Sequence, residues 1–203
     1  FIPVFEEDGL IVQLDEYIFR KVCNYIKRDY DKGLNIMPVS VNLSRGSLRA
    51  DDTVEKYKKI IEECNIPKEY VPIELTESAA IHSLDIRTRM QELKDAGFTL
   101  HMDDFGVGES SLVSLNILPF DVVKLDKSLI EQLGDAGGNE IVRHTIELAH
   151  FKKMKVVAEG VEEEEQCRKL KEYHCDELQG YYYSKPMPYE KLFEYLMKQE
   201  KRC

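Results

Sequence analysis

Polar and charged side chains lie at the end of each of six short apolar runs in this 203-residue sequence. Most are carboxylates, joined by two amides and one lysine. In chain order these residues are Asn42, Glu74, Glu77, Asp103, Asp104, Lys124, Asp126, Glu159, Glu162 and Gln179. If the runs are parallel strands of a β/α barrel, their carboxyl ends share one face, where polar groups usually serve function rather than stability. The repeated ending therefore predicts one shared polar site.

The charge of this predicted site indicates that it needs cations. Five carboxylates (Glu74, Asp103, Asp104, Glu159 and Glu162) and the Lys124 ammonium together carry −4. Carboxylates that face one cavity repel one another and partly protonate unless cations neutralise them. Two divalent ions would supply that charge, and oxygen ligands without histidine or cysteine suit Mg²⁺ or Mn²⁺ better than Zn²⁺. Two such ions about 4 Å apart would clamp a phosphodiester and activate a water.

Several of these residues also have an ordinary structural interpretation. Asn42, which precedes Ser44, could form a turn or cap a helix, and Glu77 with Ser78 could cap the helix that follows. For Asp126 an N-cap is favoured over a ligand on the same capping preference. The alternatives for Asn42 and Glu77 stay open on the sequence alone.

The elements that must position these side chains are short strands that alternate with amphipathic helices. Runs of β-branched and aromatic residues predict strands over Met37–Leu43, Val71–Leu75, Phe98–Met102, Asp121–Leu125, Lys155–Ala158 and Leu178–Tyr183. Helical spacing of apolar residues predicts helices over Leu14–Tyr30, Val54–Cys64, Ile141–His150, Glu163–Tyr173 and Tyr189–Met197. This alternation predicts a parallel sheet with helices outside it.

Such a sheet is either open and doubly wound or closed into a barrel. An open sheet that binds a dinucleotide would carry a glycine-rich turn after an early strand, and the sequence has none. A (β/α)₈ barrel takes about 250 residues. We therefore predict that residues 1–203 form one domain, a modified TIM-type (β/α)₈ barrel that lacks its first one or two β/α units. Because such a barrel has open edges, we expect the chain to be oligomeric, strand-swapped or inactive.

Composition excludes several classes of protein. The net charge of −10 argues against binding of long nucleic acid. No apolar run approaches the roughly 18 residues that span a bilayer. Five scattered cysteines without a CxxC pair indicate reduced thiols. We therefore expect a cytoplasmic domain, either alone or as the cytoplasmic part of a larger, membrane-attached protein.

Seven segments, in the same order, resemble the EAL domain family. They are FIPVFEEDGLI (1–11), VNLS (41–44), IELTES (73–78), DDFGVGESSL (103–112), LPFDVVKLDKSLI (118–130), VVAEGVEEEEQ (156–166) and LQGYYYSKPM (178–187). This resemblance implies a modified TIM-type barrel that hydrolyses the bacterial messenger cyclic di-GMP to linear pGpG with Mg²⁺ or Mn²⁺.

The resemblance also implies which residues hold the two ions. Asn42, Glu74 and Asp103 match metal ligands of the family, and Asp103 resembles the bridging carboxylate. Asp104 resembles a ligand of the second metal. Glu159 matches an acid at that second metal, which is also proposed as a general base.

Other roles follow from the same resemblance. Lys124 matches a residue that holds the attacking water or the phosphate, and Glu162 and Gln179 match supporting catalytic residues. Substrate contacts are implied for Lys124, Asp121 and Gln179. Glu77 matches a glutamate that anchors the loop after the paired aspartates through backbone N–H groups.

Two departures from the family pattern leave alternatives open. The Glu-Ala-Leu strand, which carries a further metal ligand, is expected upstream of Phe1, where a sensor or diguanylate-cyclase-like domain is also expected. Val107 stands where the family usually has threonine, and Glu109 where it has an aromatic residue. They lie in the loop following Asp104, through which we expect a homodimer. The alternatives are a degenerate EAL domain that binds cyclic di-GMP or a protein without hydrolysis, and a barrel metallohydrolase for another phosphodiester.

Overall fold

Six parallel strands form one sheet in which each strand lies beside its neighbours in sequence. The computed structural model describes residues 2–34, 36–78, 84–107, 112–192 and 195. The strands are β1 (Val41–Asn42), β2 (Ile73–Thr76), β3 (Leu100–Phe105), β4 (Val122–Leu125), β5 (Lys155–Ala158) and β6 (Glu177–Leu178). Within the described ranges β1 and β6 each pair on one side only. The predicted α/β class with a parallel, TIM-barrel-like sheet is confirmed.

Two helices precede β1, and at least one helix lies between each pair of successive strands. They are α1 (Ile2–Glu7), α2 (Ile11–Tyr30), α3 (Arg45–Arg49), α4 (Thr53–Cys64), α5 (Leu84–Asp95), α6 (Leu112–Ile117), α7 (Lys127–Ile130), α8 (Ala136–Phe151) and α9 (Glu164–Glu172). The prediction missed α5, although Ile86, Met90 and Leu93 have helical spacing and are fully buried. None of the described helices has both the length and the apolar character of a transmembrane span.

Helix α8 begins five residues before the predicted Ile141, so that prediction was wrong at its start. Asp135 caps the helix, since its carboxylate accepts the Gly138 N–H at 3.0 Å. Gly138, inside the first turn of the helix, is required for packing. A Cβ there would lie 2.2 Å from the Gln132 carbonyl oxygen. The predicted closing helix to Met197 extends outside the described residues.

The two faces of the sheet differ in chemistry. Strand register places apolar residues beside one another on one face, where they are buried against the helices: Val41, Ile73, Leu75, Leu100, Met102, Val123 and Val156. On the other face the register aligns Asn42 with Glu74 and His101, and Thr76 with Asp103. Because side chains alternate between faces, each strand contributes both to the core and to a polar inner surface.

Candidate active site

The Lys124 ammonium is the centre of a group of three carboxylates, here called the Lys124 cluster. Its Nζ lies 2.9 Å from Glu74 Oε1, 2.8 Å from Asp103 Oδ1 and 2.9 Å from Glu159 Oε1. The four residues come from β2, β3, β4 and the position after β5. Their side chains are all largely buried, with the Glu159 side chain the most exposed at 18%. The structure thus brings together four residues that end separate apolar runs.

A β-bulge in β3 accounts for the paired aspartates. Met102 is aligned with Val123 and Phe105 with Leu125, so two residues of β3 lie opposite one of β4. The extra residue, Asp104, has a φ of +56°. A left-handed conformation at a residue other than glycine costs about 1–2 kcal/mol, and bulges of this kind often lie beside active sites. The predicted strand ended at Met102, which was wrong because the aspartates themselves belong to β3.

Burial and charge act against each other in this cluster. Burial alone would lower the pKa of Lys124, but its hydrogen bonds to Asp103 and Glu74 outweigh that effect and hold the pKa above its ordinary value. Burial raises the pKa of Glu159 despite the opposing ammonium. Burial and the neighbouring Asp103 likewise raise the pKa of Asp104. Four carboxylates against one ammonium leave a net charge of −3, so the site is short of positive charge.

Asn42 and Gln179 lie at the two outer strands of the same edge. Asn42 is exposed at the end of β1, aligned with Glu74. It does not cap α3, because Ser44 is the N-cap of that helix. Gln179 follows β6, where its N–H donates to the Ala158 carbonyl at 2.8 Å and its side chain is exposed. Both amides flank the Lys124 cluster, and within the described part of the chain neither side chain hydrogen-bonds to it.

Glu162 lies outside the Lys124 cluster. Its carboxylate is 2.6 Å from the Lys127 Nζ, and the side chain is 44% exposed. Lys127 also packs over Gly160, where a Cβ would lie 2.5 Å from the Lys127 Cβ. Asp126, by contrast, is the predicted N-cap, since its Oδ1 accepts the Ser128 N–H at 2.8 Å.

Asp121 lies at the opposite end of β4 from Lys124. Its Oδ2 accepts the Leu100 N–H at 2.8 Å, and its Oδ1 pairs with Lys94. It lines a cavity of about 920 Å³ on the inner face of the sheet, together with His101, whose pKa burial lowers. Glu74, Lys124 and Gln179 line the same cavity, but the carboxylate of Asp121 pairs with Lys94 and not with Lys124. The sequence already indicated this difference, because Asp121 precedes its apolar run, whereas the residues of the Lys124 cluster end theirs.

Glu77 connects β2 to the segment after the paired aspartates. Its carboxylate is buried and accepts the Ser114 hydroxyl at 2.5 Å, and Ser114 lies on α6. Sequence reasoning missed Ser114, which carries no motif signal of its own. The predicted backbone contacts of Glu77 and the predicted dimer loop involve residues 108–111, including Glu109, which lie outside the described residues. Val107, at the start of that loop, is 54% exposed.

The donor chemistry of this edge fits Mg²⁺ or Mn²⁺. The available donors are carboxylate and amide oxygens, and their charge exceeds that of the single ammonium. In the described part of the chain, however, no three histidine, cysteine, aspartate or glutamate side chains form a metal-holding group. The ammonium of Lys124 occupies the point that three of the carboxylates share. The residues fit cations in type and in charge.

An α/β barrel-type sheet with an acidic, buried site at the carboxyl ends of its strands defines a class of protein, and comparison with known proteins gives the family. The sequence pattern described as "EAL domain" matches residues 1–186. This chain belongs to the EAL domain family.

Curated relatives support this assignment. The chain is 34% identical over 198 residues to the cyclic di-GMP phosphodiesterase NbdA of Pseudomonas aeruginosa, covering 97% of this chain and 25% of that protein. It is 32% identical over 194 residues to the bifunctional diguanylate cyclase/cyclic di-GMP phosphodiesterase MucR of the same organism, covering 95% and 28%. The chain thus spans about a quarter of the length of these relatives.

Solved structures of EAL domains share the fold. The structure described as the PaMucR phosphodiesterase, c-di-GMP complex, has a TM-score of 0.86 at 32% identity, with 95% of this chain and 78% of that chain covered. The EAL domain of Mycobacterium smegmatis DcpA has a TM-score of 0.85 at 33% identity, with 93% and 86% covered.

Proposed function

We propose that this chain is a cytoplasmic cyclic di-GMP phosphodiesterase domain that hydrolyses its substrate to linear pGpG with two divalent cations, Mg²⁺ or Mn²⁺. The observation that carries the proposal is the excess of carboxylates in a largely buried group around Lys124, at the strand ends of an EAL domain. The relatives named phosphodiesterases, and the solved structure of one of them with c-di-GMP, support the choice of substrate.

The cations would be held by oxygen atoms from neighbouring strands. The residues assigned to them are Asn42, Glu74, Asp103, Asp104 and Glu159. When bound, the cations would polarise the phosphodiester and activate a water for attack on phosphorus. The bulge at Asp104 supports the assignment of two ions. Two aspartates of β3 lie there opposite a single residue of β4, so the bulge adds a second carboxylate to the site.

The residues of the chain would position the substrate and move a proton. Lys124 stays protonated because its carboxylate partners raise its pKa, so its ammonium can donate to a phosphate oxygen or to the attacking water. The carboxylate of Glu159 would accept the proton of that water. Burial raises the pKa of Glu159 above its ordinary value, which makes its carboxylate a better proton acceptor.

The remaining residues would support these steps from the edges of the site. Gln179, whose amide is exposed, would contact the substrate beside β6. Glu77 would fix the position of α6 through Ser114 and so hold the segment that follows the paired aspartates. We propose the loop after Asp104 as a homodimer contact, supported by the exposure of Val107 at its start.

The test is hydrolysis by the natural full-length protein. Purified protein with Mn²⁺ should convert cyclic di-GMP to pGpG, as followed by chromatography, and a chelator should abolish the reaction. Absence of pGpG would overturn the proposal. Tight binding of cyclic di-GMP without turnover would instead establish a binding module, and faster turnover of another cyclic dinucleotide would establish a different metallohydrolase.

A further inference from the structure

A buried carboxylate on α2 lies directly behind the turn that follows β1. Asp15 is 6% exposed, and its Oδ2 accepts both the Ser44 N–H at 2.9 Å and the Ser47 hydroxyl at 2.6 Å. No lysine, arginine or histidine of the described residues forms an ion pair with it. Burial of a carboxylate without a cation is unfavourable unless hydrogen bonds compensate. Among the described residues, this buried acid is held by two hydrogen bonds from one turn, which calls for a reason beyond packing.

Further contacts within the turn, with α4 and with α2 fix the turn that Asp15 binds. The Ser44 hydroxyl caps α3 by accepting the Ser47 N–H at 3.1 Å. The Thr53 hydroxyl donates to the Ser47 carbonyl at 2.6 Å. Gly46 packs closely on α2, since a Cβ there would lie 3.0 Å from the Ile11 Cγ2. These contacts fix the backbone that begins two residues after Asn42.

Strand β1 needs such a support. It has two residues and, in the described ranges, pairs only with β2, where the Val41 N–H donates to the Pro72 carbonyl at 2.9 Å and the Leu43 N–H to the Glu74 carbonyl at 2.9 Å. A two-residue strand is weakly held compared with strands of ordinary length. Asp15 of α2 fixes the chain directly after this strand.

We propose that Asp15 is a positioning residue that holds the turn after β1 so that the Asn42 amide is fixed at the cation site. This inference rests on the proposed function, which assigns Asn42 as a cation ligand. Asp15 lines a cavity of about 550 Å³ together with Asn42, which places both residues on one wall beside the strand ends. Groups that orient metal ligands in this way typically change metal affinity by about 10–100-fold when removed.

The first measurement is Mn²⁺ binding to the natural full-length protein by calorimetry. Asp15→Ala should weaken binding by about 10–100-fold. Asp15→Asn should retain most of the affinity, because one amide oxygen can accept both hydrogen bonds that now meet at Oδ2. The matched control is Asp29→Ala. Asp29 is another buried aspartate of α2, but it lies near the carboxyl-terminal end of the helix, where it accepts a hydrogen bond from the Tyr189 hydroxyl. This substitution should lower the melting temperature without changing Mn²⁺ affinity.

The second measurement does not depend on metal. Amide hydrogen exchange of residues 41–48 should be about tenfold faster or more in Asp15→Ala than in the wild type, while Asp29→Ala leaves it unchanged. Unchanged exchange in Asp15→Ala would overturn the inference, as would equal losses of Mn²⁺ affinity in Asp15→Ala and Asp29→Ala. A loss in Asp15→Asn as large as in Asp15→Ala would also overturn it, since charge and not position would then matter. Failure of the wild type to hydrolyse cyclic di-GMP, with faster exchange in Asp15→Ala, would refute the proposed function and leave the positioning role supported.

Discussion

The two ends of the sheet use carboxylates in opposite ways. Before β4, Asp121 accepts the N–H of Leu100 in β3 and pairs with Lys94 of α5. Before β6, Asp176 does the same with Val156 of β5, at 2.8 Å, and with the His150 ring of α8, at 2.8 Å. Each acid at this amino-terminal edge therefore has a backbone donor and a basic partner of its own.

The carboxyl-terminal edge has no such balance. There, four carboxylates surround or adjoin the single ammonium of Lys124, and burial raises the pKa of two of them, Glu159 and Asp104. The same residue types on the same strands thus stabilise one edge and leave excess negative charge at the other. The difference teaches that a strand-end acid is a sign of function when its charge is left without a partner.

The largest effect is expected from Glu159→Gln at the carboxyl-terminal edge. Loss of the base should reduce turnover of cyclic di-GMP about 1,000-fold, since general acid–base catalysis contributes about 10²–10⁴-fold. The metal-free stability should stay the same or rise, because burial disfavours this carboxylate. Turnover and urea unfolding of the same preparation check both points. The matched variant at the other edge, Asp176→Asn, should keep its turnover per folded molecule, and an equal loss there would break the comparison.

Lys124→Met is expected to have the next largest effect. Removal of the ammonium leaves three carboxylates close together without a cation, and breaking a buried ionic group in this way costs about 3 kcal/mol. Urea unfolding in metal-free buffer measures the change in the free energy of unfolding. Added Mn²⁺ should stabilise this variant more than the wild type, because the unbalanced charge is larger. A variant as stable as the wild type without metal would show that the cluster is not held by Lys124.

Asp121→Ala should have a smaller effect, confined to stability. It leaves the buried Leu100 N–H without its acceptor, which costs about 1–2 kcal/mol. The KM for cyclic di-GMP should not change, because Asp121 lies at the amino-terminal edge. Steady-state kinetics beside urea unfolding make the test. A raised KM with unchanged stability would restore the substrate-binding role that the family resemblance implies for Asp121.

The smallest expected effect is the pH dependence of metal-free stability. The folded pKa of Glu159 is raised, so the folded state binds its proton at higher pH than the unfolded chain does, and the contribution of Glu159 to stability should increase as pH falls towards about 4.3. For Asp176, burial is outweighed by the bonds from His150 and Val156, and the folded pKa is lowered. Its contribution should be lost as pH falls below about 3.9.

Variants separate these two pH effects. Urea unfolding between pH 3 and 7 should show a smaller upper change in Glu159→Gln, where Asp104 still contributes, and a smaller lower change in Asp176→Asn, where Asp126 still contributes. If both variants retain the full wild-type profile, the two edges do not differ in their titration as described.

Much of the fold could be predicted from the sequence because it depends on local patterns. The helices that begin at Ile11 and Thr53 were expected within three residues of their observed starts. The convergence of Glu74, Lys124 and Glu159 followed from their common place at the ends of apolar runs. The structure departs from the prediction where packing decides, as at Gly138, which is a glycine within α8 because Gln132 leaves no room for a side chain.

The sequence by itself determined the parallel α/β architecture, the family and the edge of the sheet where charge accumulates, since these depend on periodicity and on residue order. Only the tertiary structure decided which acids are neutralised. Register and the bulge bring Asp103 to Lys124, whereas Glu162 lies against Lys127 and Asp121 against Lys94. The physical reason is that a carboxylate's role depends on the charges and burial around it, and these come from strands and helices distant in sequence.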